Sequence, residues 1–161
     1  MQHSPNRVLI YSHDTFGLGH LRRSAVIAKE LVANHDDLSV LIISGSSVLE
    51  QFSFDQKIKV VSIPCIKKLS SGRYTSQDKT TPLNDTLKRR TEIIYQTACM
   101  FQPNLFIVDK EPLGLGGEIK STLKQLNSVN TPCVLGLRDV LDDPEKLKLE
   151  WKQKNAAIAL E

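Results

Sequence analysis

A turn that contains two glycines, a histidine and two arginines follows the first apolar run of the chain, and residues 17–23 read GLGHLRR. Gly17 and Gly19 allow the backbone to approach a ligand closely. The first turn of the next helix offers free N–H groups and a positive dipole end, which favour an anion such as phosphate. The same dipole end favours an uncharged imidazole at His20, the form that a general base needs. We therefore predict a ligand-binding turn with His20 as candidate base; the alternative is that His20 only packs or caps the helix start.

Acidic residues follow a later apolar run and could act together with this histidine. Asp109, Lys110 and Glu111 come directly after residues 105–108, and a second glycine-rich turn, EPLGLGG, spans residues 111–117. If the first and fourth strands are neighbours, Asp109 lies beside His20, and Glu111 and Asp139 lie near it. A carboxylate behind a histidine fixes its tautomer and stabilises the imidazolium. The alternative is a charged strand end that faces water.

The elements that must position these residues alternate along the chain. Five short apolar runs predict strands over residues 8–12, 38–44, 59–63, 105–109 and 133–137. Amphipathic segments predict helices over residues 20–34, 83–100, 118–126 and 144–160, with a short helix after Ser46 or Ser47. This order predicts an α/β fold, a doubly wound, Rossmann-like parallel sheet with helices on both faces. The continuous apolar runs are typical of strands that are covered on both faces.

Two common cofactor motifs do not fit the first turn. A dinucleotide fold needs GxGxxG and an acidic residue about 20 positions further on. Arg22 stands at the third glycine position, and the second strand ends in Ser44-Gly45-Ser46-Ser47 without an acid. A GxxxxGK[ST] phosphate loop is absent from the sequence. We therefore expect neither a nicotinamide cofactor nor a P-loop.

Composition predicts one ordinary globular domain over residues 1–161. Apolar residues make up 40% and the formal net charge is +3, a weak bias that does not indicate nucleic acid as a partner. Basic clusters at residues 67–68 and 88–90 are interpreted as solvated faces. Three cysteines without a CxxC motif predict neither disulfides nor zinc, and we expect Cys99 and Cys133 in the core.

Two segments and the cellular location complete these expectations. Residues 67–82 are polar and aperiodic, which indicates a functional lid or disorder. The last helix has no stop signal before residue 161, so we expect a chain truncated within that helix, with a native terminal helix as the alternative. The N-terminus lacks the apolar core of a signal peptide, which makes a cytoplasmic location the expectation. Peripheral docking on a membrane through an apolar acceptor-side surface stays open.

Three motifs together carry a resemblance to a known family. They are a GxGHxRR start over residues 17–23, a DKxPxGxxxE-type turn over residues 109–118 and a GLRD segment over residues 136–139. Their order and strand context resemble those of MurG-like, family 28 glycosyltransferases, in particular the "predicted glycosyltransferase" type. Phe16 and Leu18 are larger than the residues of the peptidoglycan enzyme's loop, which argues against its lipid-diphosphate acceptor here.

The resemblance implies a GT-B architecture, of which this chain is the N-terminal, acceptor-side half, without the C-terminal donor domain. It implies transfer of a hexosyl group from a nucleotide sugar to a hydroxyl-bearing acceptor, which could be a glycan, a lipid-linked or a small molecule. No cofactor and no metal is required, and this half alone is expected to be inactive. The alternatives are an enzyme similar to a nucleotide-sugar 2-epimerase and a non-catalytic Rossmann-like binding module.

Carried over residue by residue, the resemblance makes His20 the base for the acceptor hydroxyl. Gly17 and Gly19 match a loop near phosphate, and a second cleft-facing turn is matched by Gly114, Gly116 and Gly117. The remaining substrate-binding residues that we expect are Arg22, Asp109, Glu111, Arg138 and Asp139.

Overall fold

The computed structural model describes residues 6–14, 18–71, 73–137 and 143–153. Strands β1 to β7 span, in order, Asn6–Ser12, Leu38–Ser44, Ile58–Ser62, Ile66–Lys68, Tyr74–Ser76, Leu105–Asp109 and Cys133–Gly136. Helices α1 to α4 span Gly19–Asn34, Leu83–Phe101, Lys120–Ser128 and Pro144–Gln153. Single turns of 3-10 helix lie at Leu49–Gln51, where a short helix was predicted, and at Leu115–Gly117.

Five strands form one parallel sheet in the order β3-β2-β1-β6-β7. Strand β1 lies in the middle, where Val8 is opposite Val40 of β2 and Leu105 of β6. The predicted neighbourhood of the first and fourth sheet strands, β1 and β6, is thereby confirmed. Because all five strands run the same way, their carboxyl ends lie at one edge, where open α/β sheets bind ligands.

Helices cover both faces of this sheet. The side chains of Leu9 and Tyr11 pack on one face with Ile94 of α2, whereas Val8 and Ile10 pack on the other face with residues of α1. This period-two alternation leaves the central strand buried on both sides, as its continuous apolar sequence predicted. The doubly wound, Rossmann-like fold is confirmed.

The segment over residues 67–82 is not simply a lid or a disordered loop. Strands β4 and β5 pair antiparallel as a short hairpin, with Ile66 opposite Ser76, both buried. Ser76 also exchanges a 2.7 Å hydrogen bond with the hydroxyl of Thr86, which anchors the hairpin to α2. Three-residue strands are too short to show a periodic pattern, which explains why the sequence did not predict them.

Three side-chain predictions were wrong. Arg90, assigned to a solvated basic face, is fully buried, while its neighbours Lys88 and Arg89 are exposed. Cys99 and Cys133, expected in the core, are exposed. Cys99 lies on the outer side of α2, and Cys133 begins β7, the last strand at one end of the sheet. Within the described ranges, no helix is long and apolar enough to span a bilayer.

Candidate active site

His20 and Asp109 meet at the carboxyl edge of the sheet. His20 is the second residue of α1, which follows β1, and Asp109 is the last residue of the adjacent strand β6. Nδ1 of His20 lies 2.5 Å from Oδ2 of Asp109, and their side chains are only 13% and 7% exposed. Nη1 of Arg23 lies 3.3 Å from the other oxygen, Oδ1. The predicted juxtaposition of His20 and Asp109 is confirmed, and both carboxylate oxygens have a partner.

A second histidine lies beside this pair. His13 is 5% exposed, and its ring stands edge-on to the His20 ring with centroids 5.8 Å apart. Burial lowers the pKa of His13 to about 4, and nearby His20 acts in the same direction, while Glu111 opposes it. His13 is therefore uncharged at neutral pH and adds no positive charge next to His20 and Asp109, which we call the dyad.

Asp14 lies on the β2 side of the same edge and is 3% exposed. Its Oδ2 accepts a 2.6 Å hydrogen bond from the hydroxyl of Ser44, the last residue of β2. Its Oδ1 and the buried hydroxyl of Ser12 form no hydrogen bond of ideal geometry within the described part of the chain, but the Ser12 hydroxyl lies near enough to the carboxyl to act on it as a donor. Burial raises the pKa of Asp14, although Ser44, Ser12 and His20 all favour its ionised form.

A buried ion pair supports the floor of the site. Arg90 donates from Nε to Oε2 of Glu118 at 2.6 Å and from Nη2 to Oε1 at 2.7 Å. Its Nη1 donates to the carbonyl of Pro64 at 2.7 Å. The hydroxyl of Tyr11 donates a very short hydrogen bond to the same Glu118. Burial lowers the pKa of Arg90, but the hydrogen bonds and charge of Glu118 outweigh it, so the net shift is upward.

Two glycines make room for this ion pair. A Cβ atom on Gly45 would stand 2.5 Å from Nη1 of Arg90, closer than the Cβ atoms of real proteins come to a non-bonded atom. Gly114 has a φ of +68°, and a Cβ there would stand 3.1 Å from the Tyr11 hydroxyl and from Glu118. At Gly114 the second glycine-rich turn therefore packs directly against Tyr11 and Glu118.

The second turn borders an open, mostly apolar cavity of about 640 Å³. Leu83 and Leu87 of α2 and Tyr74 of the hairpin face the turn across it. His13 and Glu111 supply polar groups to its wall. Its volume is in the range of small-molecule sites.

The predicted site residues are placed as follows. Glu111 and the three glycines of the second turn line the apolar cavity, and these glycines have positive φ. Arg22 is exposed, whereas Arg23, which the sequence analysis did not single out, contacts Asp109. A Cβ on Gly19 would meet open space. Gly17, Arg138 and Asp139 lie outside the described residues. Over the described ranges, no group of three or more His, Cys, Asp or Glu side chains is arranged to hold a metal ion.

Sequence reasoning missed Tyr11, His13, Asp14, Arg90 and Glu118. His13 and Asp14 follow a buried strand directly, the same signal that pointed to Asp109. Arg90 lies four and eight positions before Ile94 and Ala98, so it falls on the same buried side of α2 as they do. This spacing indicated burial, whereas the adjacent basic residues favoured an exposed position.

No protein-family model matches the chain, and no curated protein matches it in sequence. Among solved structures, it is similar to UGT71G1 of Medicago truncatula complexed with UDP-glucose, at 15% identity and a TM-score of 0.52. That likeness covers 94% of this chain and 32% of the other. It is also similar to a UGT transferase of Siraitia grosvenorii in complex with UDP, at 13% identity and a TM-score of 0.49, over 80% of this chain and 27% of the other.

These likenesses concern the fold. This is a Rossmann-like α/β domain, and the chain spans about a third of the length of these two proteins. The assignment to MurG-like family 28 stays a prediction.

Proposed function

We propose that this chain is the acceptor-side domain of a nucleotide-sugar-dependent glycosyltransferase, with His20 as the general base. The observation that carries the proposal is the 2.5 Å contact between Nδ1 of His20 and Oδ2 of Asp109 at the ligand-binding edge of the sheet. The fold shared with UGT71G1, whose structure is a complex with UDP-glucose, supports it. Because one fold can host many functions, the His20–Asp109 pair is the feature on which the proposed reaction rests.

The dyad geometry fits proton abstraction from a hydroxyl. When Oδ2 of Asp109 accepts a hydrogen bond from Nδ1–H of His20, the lone pair of the imidazole is on Nε2. Nε2 then takes the proton of the acceptor hydroxyl as its oxygen attacks the anomeric carbon of the sugar. The new C–O bond forms as the bond from that carbon to the diphosphate oxygen breaks, and the nucleoside diphosphate leaves with the electron pair. Asp109 stabilises the imidazolium, and Arg23 holds the other carboxylate oxygen.

The donor is proposed to be a nucleotide sugar that is held mainly by a second domain, with no metal or further cofactor. The positive end of α1, which begins at Gly19, would favour the departing diphosphate. The acceptor is proposed to enter between this turn and the second glycine-rich turn. The apolar cavity at that turn would cover the body of an acceptor whose hydroxyl reaches His20.

A thermal-shift screen of the full-length protein against UDP-, GDP- and dTDP-sugars tests the donor class. A donor at a hundredfold excess over its Kd should stabilise the fold by about 2.7 kcal/mol. The His20→Ala variant should keep this stabilisation but lose transfer, since His20 acts on the acceptor. The matched control is His35→Ala, because His35 is an exposed histidine just after α1.

The absence of stabilisation by any nucleotide sugar, in a well-folded protein, would contradict the proposal. Full transfer activity in His20→Ala would contradict the role of the base. Release of an epimerised free sugar in place of a glycosylated acceptor would favour the 2-epimerase alternative.

A further inference from the structure

We propose that the acceptor is an apolar molecule with hydroxyl groups on two neighbouring carbon atoms, and that His13 binds the second of these hydroxyls. The first hydroxyl meets His20, and the second donates a hydrogen bond to Nε2 of His13. The identification of this ligand as the acceptor rests on the proposed function, whereas its binding needs no transfer reaction.

His13 lies where the apolar cavity meets the dyad. It follows β1 directly and lines the cavity together with Leu83 and Leu87 of α2. Its ring also stands edge-on to the ring of His20, with the centroids 5.8 Å apart. A molecule that fills the cavity and brings a hydroxyl to His20 therefore lies beside the ring of His13.

Tyr11 determines which nitrogen of His13 carries the proton. The hydroxyl of Tyr11 donates to Glu118, so its oxygen can only accept further hydrogen bonds. It accepts from the amide of Leu115 at 3.4 Å, and Nδ1 of His13 lies 3.5 Å from the same oxygen. Burial and the charge of Glu118 raise the pKa of Tyr11, so the hydroxyl keeps its proton. The proton of the uncharged His13 ring is therefore on Nδ1, and the lone pair is on Nε2.

The lone pair on Nε2 is available to a ligand. Over the described residues, Nε2 of His13 forms no hydrogen bond, and it is not one of the side-chain atoms that are fully buried without one. Burial lowers the pKa of His13 to about 4, so Nε2 stays unprotonated at neutral pH. A hydroxyl group in the cavity can therefore donate to it.

A single hydroxyl cannot satisfy both histidines. It has one proton, and a hydrogen bond from that proton to His13 would hold it away from His20. A second hydroxyl on the next carbon removes this competition, because it donates to His13 and leaves the first for the base. The two rings are adjacent, so the groups that they bind must be on neighbouring atoms. The leucine side chains and Tyr74 on the cavity wall fit an apolar remainder of the molecule.

Calorimetric titration of the 161-residue chain with matched pairs of compounds tests this site. One pair is 4-tert-butylcatechol and 4-tert-butylphenol, and the other is 1-phenylethane-1,2-diol and 2-phenylethanol. In at least one pair, the diol should bind about fivefold more tightly than its monohydroxyl partner, the effect of one added hydrogen bond. Burial against apolar walls would give the opposite order, because the diol is the more polar molecule.

Substitutions of His13 separate a contact with the ligand from a structural role. His13→Phe removes the ring nitrogens and should abolish the preference for the diol, with little change for the monohydroxyl compound. His13→Gln should retain part of the preference, because its amide oxygen accepts a hydrogen bond. A purely structural role would weaken both compounds equally. The matched control is His35→Phe, which changes an exposed histidine and should keep the preference.

Nitrogen-15 NMR of the histidine rings observes the contact without any substitution. In the free chain, Nε2 of His13 should be unprotonated and Nδ1 protonated. With both rings uncharged, the diol should shift the Nε2 signals of His13 and His20 together, since each accepts from its own hydroxyl. If His13→Phe proves unfolded by circular dichroism, this measurement and the paired titrations decide.

The proposal is overturned if neither diol binds more tightly than its partner, or if a proton is found on Nε2 of His13 in the free chain. It is also overturned if a folded His13→Phe keeps the preference, which would make Glu111 of the same cavity the partner of the second hydroxyl. If the diol binds as described but the full-length protein glycosylates only other acceptors, the assignment as acceptor is wrong and the binding site stands. Failure of transfer to every acceptor would contradict the proposed function instead.

Discussion

His20 and Asp109 are 89 positions apart in the sequence, yet Nδ1 of the imidazole lies 2.5 Å from Oδ2 of the carboxylate. The contact exists because β1 and β6 are hydrogen-bonded neighbours whose carboxyl ends lie at one edge. Both side chains are largely buried, which strengthens their interaction relative to one in water.

When it is uncharged, the imidazole of His20 should be the Nδ1–H tautomer in the isolated chain. Asp109 can only accept a hydrogen bond when ionised, so it selects the proton on Nδ1. Nitrogen-15 NMR of the histidine rings distinguishes a protonated from an unprotonated Nδ1. In Asp109→Asn, this preference should be lost. An Nε2–H tautomer of His20 in the original protein would show that Asp109 does not orient the base as described.

The Arg90–Glu118 pair should dominate the response of the fold to single substitutions. Glu118→Gln leaves a fully buried guanidinium without its anionic partner, which costs about 3–5 kcal/mol. Urea unfolding of the chain measures this loss. Arg89→Met, one position away on the exposed face of α2, should stay within about 0.5 kcal/mol of the original protein. Equal small effects at both positions would mean that the buried pair contributes little.

Gly45 should not tolerate a methyl group. The Cβ of an alanine there would stand 2.5 Å from Nη1 of Arg90, so the guanidinium or the backbone must move. Overpacking of this kind costs about 1–3 kcal/mol. Gly19→Ala is the matched control, because its Cβ would enter open space at the start of α1. Thermal unfolding should show a lower Tm for Gly45→Ala than for Gly19→Ala, and the reverse order would refute the packing described here.

Acid should destabilise the fold through His13. Its pKa is about 4 in the folded chain and about 6.5 when unfolded, so the unfolded state binds more protons between these values. The contribution of His13 is therefore fully present above pH 6.5 and is lost as the pH falls toward 4. The loss amounts to about 3 kcal/mol over that window.

Urea unfolding of the original chain and of His13→Gln at a series of pH values between 4 and 7 measures this effect. The difference in unfolding free energy between the two should shrink as the pH falls. A difference that stays constant over this range would mean that His13 titrates normally in the folded protein.

The alternation of strands and helices, and the contact between His20 and Asp109, could be predicted from the sequence. Continuous apolar runs marked the sheet strands, and the residues that follow β1 and β6 pointed to one edge. The sequence was not sufficient for Arg90, because the buried partner Glu118 is 28 residues away and no local pattern reveals that pairing. Nor does the sequence of β7 reveal that it is the last strand of the sheet, which leaves Cys133 exposed. The burial of a side chain was therefore predicted wrongly where it depends on an ion pair between distant residues or on the position of a strand within the sheet.

The most direct test of the central claim is a double-mutant cycle on sugar transfer by the full-length protein, with His20→Ala, Asp109→Ala and both together. If Asp109 acts through His20, each single variant should lower kcat by about 10²–10⁴, the range of general-base catalysis. The double variant should then lose little more than His20→Ala alone, because residues that act as a unit are not additive. His35→Ala should retain the original kcat. Additive losses, or a His20→Ala enzyme with undiminished kcat, would contradict the proposal that this pair is the catalytic base.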